Sequence, residues 1–173
     1  MGADVKLISG PTHLSLNDRG VERTNVNTAD EMLTACMHDF EKMDIIVMSA
    51  AVADFRPGEE STEKIKKKNN PLNVSLVPTT DILKSMGEKK RTNQLLVGFA
   101  LETNSEIENA LSKLKRKNLD FIVLNSLRDA GAGFSHNTNK ISIIFSENNV
   151  KEFDLKNKDD VAKDIVNELV QLF

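Results

Sequence analysis

At 173 residues the chain is long enough to close an apolar core as one domain, and a formal charge of −3 supplies no general field for nucleic acid. Its single cysteine, Cys36, excludes a disulfide framework and a thiolate metal cluster and fits a reducing cytoplasm. No apolar stretch approaches the roughly 20 residues that span a bilayer, Met1-Gly2-Ala3-Asp4 lacks the order of a secretory leader, and the absence of Trp and Tyr leaves little for single-stranded bases to stack on.

In chain order, Val5 to Ser9 and Val21 to Val26 read as strands, about Ala29 to Met43 as a helix, and Asp44 to Met48 as a buried parallel strand, which is βαβ order. Thr28 and Glu31 stand in capping-box spacing, and Leu33, Cys36, Met37 and Phe40 form one stripe at the helical period. A strand follows at Leu72 to Val77, then a short helix from Thr80 to Met86 that Thr79 or Thr80 can cap. Gln94 to Leu101 is a strand, and Asn104 can cap a helix whose buried stripe is Ile107, Ala110, Leu111 and Leu114. After a strand at Asp120 to Leu124 and a loop carrying Gly131, Gly133 and His136, the segments Lys140 to Phe145 and Val150 to Leu155 read as a hairpin. The last helix buries Val161, Ile165, Leu169 and Leu172. The expected architecture is α/β, a Rossmann-like three-layer domain with a mostly parallel sheet flanked by helices and a C-terminal β-hairpin.

The segment with the most chemical content begins where the Asp44 to Met48 strand runs out, at Ser49-Ala50-Ala51-Val52-Ala53-Asp54. In open α/β sheets ligands bind beyond the carboxyl ends of strands, and small residues let a ligand approach the backbone. Asp54, and Lys64 eleven residues after Ala53, would then face one crevice. The polar, Lys-rich stretch 57–71, bracketed by Pro57 and Pro71, is expected as a flap over an anionic ligand; a solvated surface loop is the plainer alternative. Lys113 and Lys117 lie one helical turn apart near a helix C-terminus, where the dipole favours cations in any protein, and Phe99 in an apolar strand is by default a core residue. His13, His38 and His136 have no ligand-like spacing, so no metal site is expected, and Gly131-Ala132-Gly133-Phe134 lacks the third glycine of a dinucleotide fingerprint.

Gly2 to Pro11, Thr28-Ala29-Asp30-Glu31-Met32, Ala50-Ala51-Val52-Ala53-Asp54-Phe55-Arg56, Glu63-Lys64-Ile65-Lys66-Lys67, Gly98-Phe99-Ala100-Leu101-Glu102-Thr103 and Lys117-Asn118-Leu119-Asp120 form an ordered series. In it the chain resembles the phosphopantothenoylcysteine synthetase (phosphopantothenate-cysteine ligase) domain of the bacterial bifunctional coenzyme A protein. The resemblance implies that CTP, with magnesium present, activates the carboxylate of 4'-phosphopantothenate as an acyl-cytidylate with release of pyrophosphate. The amine of cysteine then displaces CMP. It further implies a nucleotide pocket of Met48, Ser49, Ala50, Asp54, Lys64, Thr80, Asp81, Ile82, Leu83, Phe99, Lys113 and Lys117, with Lys64 as the catalytic charge and Ala51 against the acyl substrate. A cytoplasmic homodimer pairing through the Leu72 to Val77 strand and its arm is implied as well, with a flavin-dependent decarboxylase upstream in the gene and no flavin in this chain.

One departure qualifies these expectations. The family's domain opens with a strand, a Gly-rich loop and a helix bearing an Asn-x-Ser-Ser-Gly-Lys-Met-Gly type motif, and no such motif occurs here; Asn25, Asn27, Asn69 and Asn125 all stand outside one. The chain is therefore expected to be a single CTP-binding ligase domain over 1–173, truncated at its N-terminus relative to the family. The alternative is a catalytically incomplete nucleotide-binding or dimerisation module.

Overall fold

The computed structural model describes residues 2–16, 20–59, 61–67, 71–126, 137–147 and 149–173. In chain order the elements are β1 (Val5–Ser9), β2 (Val21–Asn25), α1 (Ala29–Asp39), β3 (Ile45–Met48), β4 (Phe55–Pro57), β5 (Leu76–Pro78) and α2 (Ile82–Lys89). They continue with β6 (Leu95–Glu102), α3 (Glu106–Arg116), β7 (Phe121–Ser126), β8 (Thr138–Asn139), β9 (Ile141–Ser146), β10 (Asn149–Glu152), β11 (Lys156–Asn157) and α4 (Lys158–Leu172). They fall into two compact units, one of Met1–Asp39 with Ala50–Ile82 and the other of Phe40–Ser49 with Leu83–Phe173. The Gly131 to Phe134 loop and His136 lie outside the described residues.

In the first unit β1 and β2 pair in parallel from Val5 opposite Val21 to Ser9 opposite Asn25. The Thr28 hydroxyl accepts the Glu31 amide at 3.1 Å, while the Glu31 carboxylate accepts the Asn27 amide at 2.7 Å. This is the expected capping box with its return bond moved back one residue. At the far end of α1, Asp39 places negative charge where the helix dipole disfavours it, and Lys6 compensates by bonding to it directly while also lying 3.3 Å from Glu22. That hydrogen bond from Lys6 holds the Asp39 carboxyl down to about 2 and raises the Lys6 ammonium.

A carboxylate depressed on folding stabilises the protein above its unfolded value, near 3.8, and the benefit disappears as pH falls through its folded value near 2. Asp39→Asn is therefore expected to melt below the parent at neutral pH, with the gap closing between about pH 4 and pH 2. Thermal melts followed by circular dichroism across that range test this, and a gap that persists undiminished at pH 2 would refute it.

β4 and β5 pair antiparallel, Phe55 opposite Pro78 and Pro57 opposite Leu76, and the Gly58 amide extends the ladder to the Ser75 carbonyl at 2.9 Å. The strand expected at 72–77 is thus shorter and shifted, because its partner offers only three residues and ends at Pro57; Leu72 and Val74 are left exposed. The Thr79 hydroxyl, expected as a helix cap, donates to the Ala53 carbonyl at 2.6 Å, and the Thr79 amide donates to the Asp54 carbonyl at 2.9 Å. Thr79 therefore ties the base of this two-stranded ribbon. The described residues of 57–71 are exposed and, past β4, carry no strand or helix.

The second unit is a five-stranded sheet in the order β10-β9-β7-β6-β3. Its β3-β6 and β6-β7 pairs are parallel, and its β7-β9 and β9-β10 pairs are antiparallel. The sheet is therefore mixed rather than mostly parallel, because β9 of the C-terminal hairpin runs antiparallel to both β7 and β10. Val97, Phe121, Val123, Ile141 and Ile143 join Val161, Ile165 and Leu169 of α4 in one core, with Phe99 and Phe145 packed on its margin. Two expected core positions lie outside: Ile107 in the first turn of α3 and Leu172 in the last turn of α4 are 47% and 46% exposed. Both stand at helix ends.

Two polar side chains, the buried Gln94 and the half-buried Asp120, fix the entry to β6. The Gln94 amide donates to the carbonyls of Phe40 and Met43, each at 2.7 Å, and its oxygen accepts the Arg91 amide at 2.9 Å. Asp120 accepts the Leu96 amide at 2.6 Å and the Lys90 ammonium at 2.9 and 3.0 Å. Among the described residues no helix is long and apolar enough to cross a membrane.

Candidate functional site

In the second unit β3, β6 and β7 run in one direction, so their carboxyl ends share one edge of the sheet. Met48 closes β3 opposite Gly98, and β6 continues past it to Glu102. Gly98 is needed for close approach: a Cβ there would stand 2.7 Å from Leu83 Cδ2 of α2 and 2.9 Å from Leu119 Cδ1. Strand alternation sends Phe99 to the opposite face, against the core that includes Val97 and α4. Three predicted residues, Met48, Leu83 and Phe99, therefore meet around one stretch of β6, with Leu83 and Phe99 on different faces.

The helix α3 returns antiparallel to the strands and carries the two predicted lysines. Lys113 reaches the strand end, its ammonium 2.6 Å from Glu102 Oε1, and Asn109 Nδ2 lies 3.3 Å from Glu102 Oε2. Lys117 is the C-cap residue, one turn further from Glu102, and its amide donates to the Lys113 carbonyl at 2.9 Å. The loop between β6 and α3 holds Ser105 in the left-handed region at φ 44° with no side-chain capping bond, so the cap position falls one residue after the expected Asn104. A residue other than glycine in that conformation stores strain beside the strand end.

In the first unit lie Ala50, Ala51, Asp54, Lys64, Thr80, Asp81 and Ile82, while Ser49 belongs to the second. Asp54 and Lys64 are exposed, and neither side chain makes an ion pair among the described residues. Arg56, two residues after Asp54, lies 3.7 Å from Asp30 and donates to the Pro57 carbonyl at 3.4 Å. Both charges thus remain available to a ligand. Ile82 is buried, as expected for the first apolar residue of α2.

Sequence reasoning missed Glu102 and Asn109. Glu102 sits inside a quoted motif, but its bond to Lys113 joins a strand end to the third turn of the next helix, and no local spacing rule reports such a contact. Among the described residues no three His, Cys, Asp or Glu side chains cluster to hold a metal ion. Magnesium would fit here as the nucleotide's own companion, since that ion keeps much of its water and binds through phosphate oxygens.

A profile of the family described as the DNA/pantothenate metabolism flavoprotein C-terminal domain matches residues 1–173. The chain belongs to that family. Within it, the chain is 40% identical over 172 residues to the Coenzyme A biosynthesis bifunctional protein CoaBC of Bacillus subtilis, covering 99% of this chain and 42% of that protein. It is 50% identical, again over 172 residues, to a protein from an unknown prokaryotic organism named Cysteine/Cysteine sulfinic acid decarboxylase, of which it covers 48%. The crystal structure of the C-terminal domain of a CoaBC superposes with a TM-score of 0.79 at 36% identity, covering 99% of this chain and 77% of that one. The α/β fold with a central sheet flanked by helices is thus that of the CoaBC C-terminal domain, and the chain spans less than half the length of the curated relatives it matches.

Proposed function

We propose that this domain serves coenzyme A biosynthesis as a CTP-dependent phosphopantothenate-cysteine ligase. A carboxylate oxygen of 4'-phosphopantothenate attacks the α-phosphorus of CTP and pyrophosphate leaves; the cysteine amine then attacks the acyl carbon, loses its proton and displaces CMP. The observation that carries the reading is the gathering of Met48, the Gly98-Phe99 backbone and the Lys113 ammonium at the carboxyl end of parallel strands, in a chain of this family.

In the second unit Met48, Ser49, Leu83, Phe99, Lys113 and Lys117 are the proposed nucleotide contacts. In the first they are Ala50, Asp54, Lys64, Thr80, Asp81 and Ile82, with Ala51 toward the acyl substrate. Lys64 contributes charge to the phosphoryl oxygens as pyrophosphate departs, which is the protein's main lever in such a displacement. Magnesium supplies charge to the same oxygens when it arrives with CTP. The proposal extends to the cytoplasm as its compartment and to a flavin-dependent decarboxylase domain upstream in the full gene. It also includes a homodimer formed along the Leu72 to Val77 segment and its neighbouring arm, where Leu72, Val74 and Leu76 are 68%, 57% and 58% exposed.

The test is calorimetric titration with CTP, followed by a ligation assay on the chain joined to its native flanking sequence. CTP is expected to bind, pyrophosphate to appear only with phosphopantothenate, and CMP to be released on adding cysteine. Sedimentation of the same sample should give twice the chain mass. Absence of CTP binding, or amide formation that consumes no nucleotide, would overturn the ligase reading; a monomer at high concentration would remove the dimer.

A further inference from the structure

We infer that Glu102 is a positioning residue for the nucleotide, holding the Lys113 ammonium at the end of β6 before the triphosphate arrives. The inference rests on the proposed role of Lys113 as a phosphate contact. Glu102 ends β6 with its side chain only 13% exposed, and both of its oxygens are engaged, Oε1 by Lys113 at 2.6 Å and Oε2 by Asn109 at 3.3 Å. Asn109 is itself tied at 2.9 Å to the Asn104 carbonyl, and its amide donates to the Ser105 carbonyl at 2.9 Å, so the carboxylate is braced against the loop that opens α3.

A lysine side chain left in water samples many rotamers, and fixing it on a ligand costs that freedom at the moment of binding. Here the cost is met during folding. The ammonium has three donors; one lies on Glu102, and the others point from a lysine side chain that is still 37% exposed, where a phosphate can reach them. The opposite role, a carboxylate competing with phosphate for Lys113, makes a contrary prediction, because removing it would then tighten anion binding.

Four variants of the full chain separate these cases by CTP titration: Glu102→Ala, Glu102→Gln, Lys113→Ala and the double Glu102→Ala/Lys113→Ala. The expected results are CTP binding weakened about tenfold in E102A, as for loss of a charge-assisted bond, and at least as much in K113A. E102Q, which keeps an acceptor oxygen for Lys113, should recover to within about threefold of the parent, and the double variant should bind no more weakly than K113A. Should E102A fail to fold, E102Q and Glu102→Asp carry the comparison, the shorter acid being expected to weaken CTP more than the amide does.

Tighter binding in E102A, E102Q no better than E102A, or effects that multiply in the double variant would overturn the positioning role. So would parental affinity in E102A beside a weakened K113A, an outcome that leaves Lys113 and the ligase reading standing. Parental affinity in K113A would remove both Lys113 as a contact and the role of Glu102. Failure of the parent chain to bind CTP would instead strike the functional reading on which both depend.

Discussion

Lys64→Ala is expected to lower CTP-dependent ligation by about 100- to 1000-fold while leaving the melting temperature within about a degree of the parent. The two halves of that expectation have separate causes. Removing one group that stabilises charge developing in a transition state typically costs two to three orders of magnitude in turnover. Lys64 is exposed and makes no ion pair among the described residues, so the fold has little to lose with it. Lys64→Arg, which keeps the charge but replaces a compact ammonium by a planar fork, should retain part of the activity. Pyrophosphate release in single turnover is the measurement that checks this, and a fully active K64A would end the assignment of Lys64 as the catalytic charge.

Gly87→Ala is expected to cost stability on the order of 3 kcal/mol, against the usual rule that alanine strengthens a helix by about 1 kcal/mol over glycine. A Cβ at Gly87 in α2 would stand 1.8 Å from the Lys117 carbonyl oxygen and 2.7 Å from its carbon, and a backbone group cannot swing aside as a side-chain tip can. The same contact is locked by Asn118, whose Nδ2 donates to the Gly87 carbonyl at 2.9 Å from a left-handed backbone at φ 52°. Because Lys117 is a proposed phosphate contact, G87A should weaken CTP binding along with folding. Gly98→Ala meets only the ends of Leu83 and Leu119 and should cost less. Urea unfolding of both variants tests the ranking; G87A as stable as the parent would show that the α2-α3 packing yields easily.

The strands and helices that carry the sheet were legible in the residues because their signals are local. The apolar run at Ile45–Met48, the capping pair Thr28 and Glu31, and the stripe of Val161, Ile165 and Leu169 each act within a few residues. The run forms the expected parallel strand but not a buried one, because β3 ends the strand order and leaves Val47 42% exposed. What escaped depended on partners distant in the chain. β5 shrank to Leu76–Pro78 because β4 is short, Thr79 bonded to Ala53 rather than to a helix, and β9 joined β7 antiparallel. The same division holds for the candidate site: the Gly98 to Thr103 motif was visible, whereas the Glu102–Lys113 bond that gives it a mechanical role spans strand and helix.

The sheet's outer border has a consequence of its own. β10 lies at one margin, is only four residues long, shifts register between Asn149 and Val150, and carries Lys151 and Glu152. A foreign strand seeking to extend the ladder there meets a kinked, charged rim, with Lys151 already drawn 2.6 Å from Glu168 of α4. An edge with a register shift and paired charges is a poor template for adding a further strand.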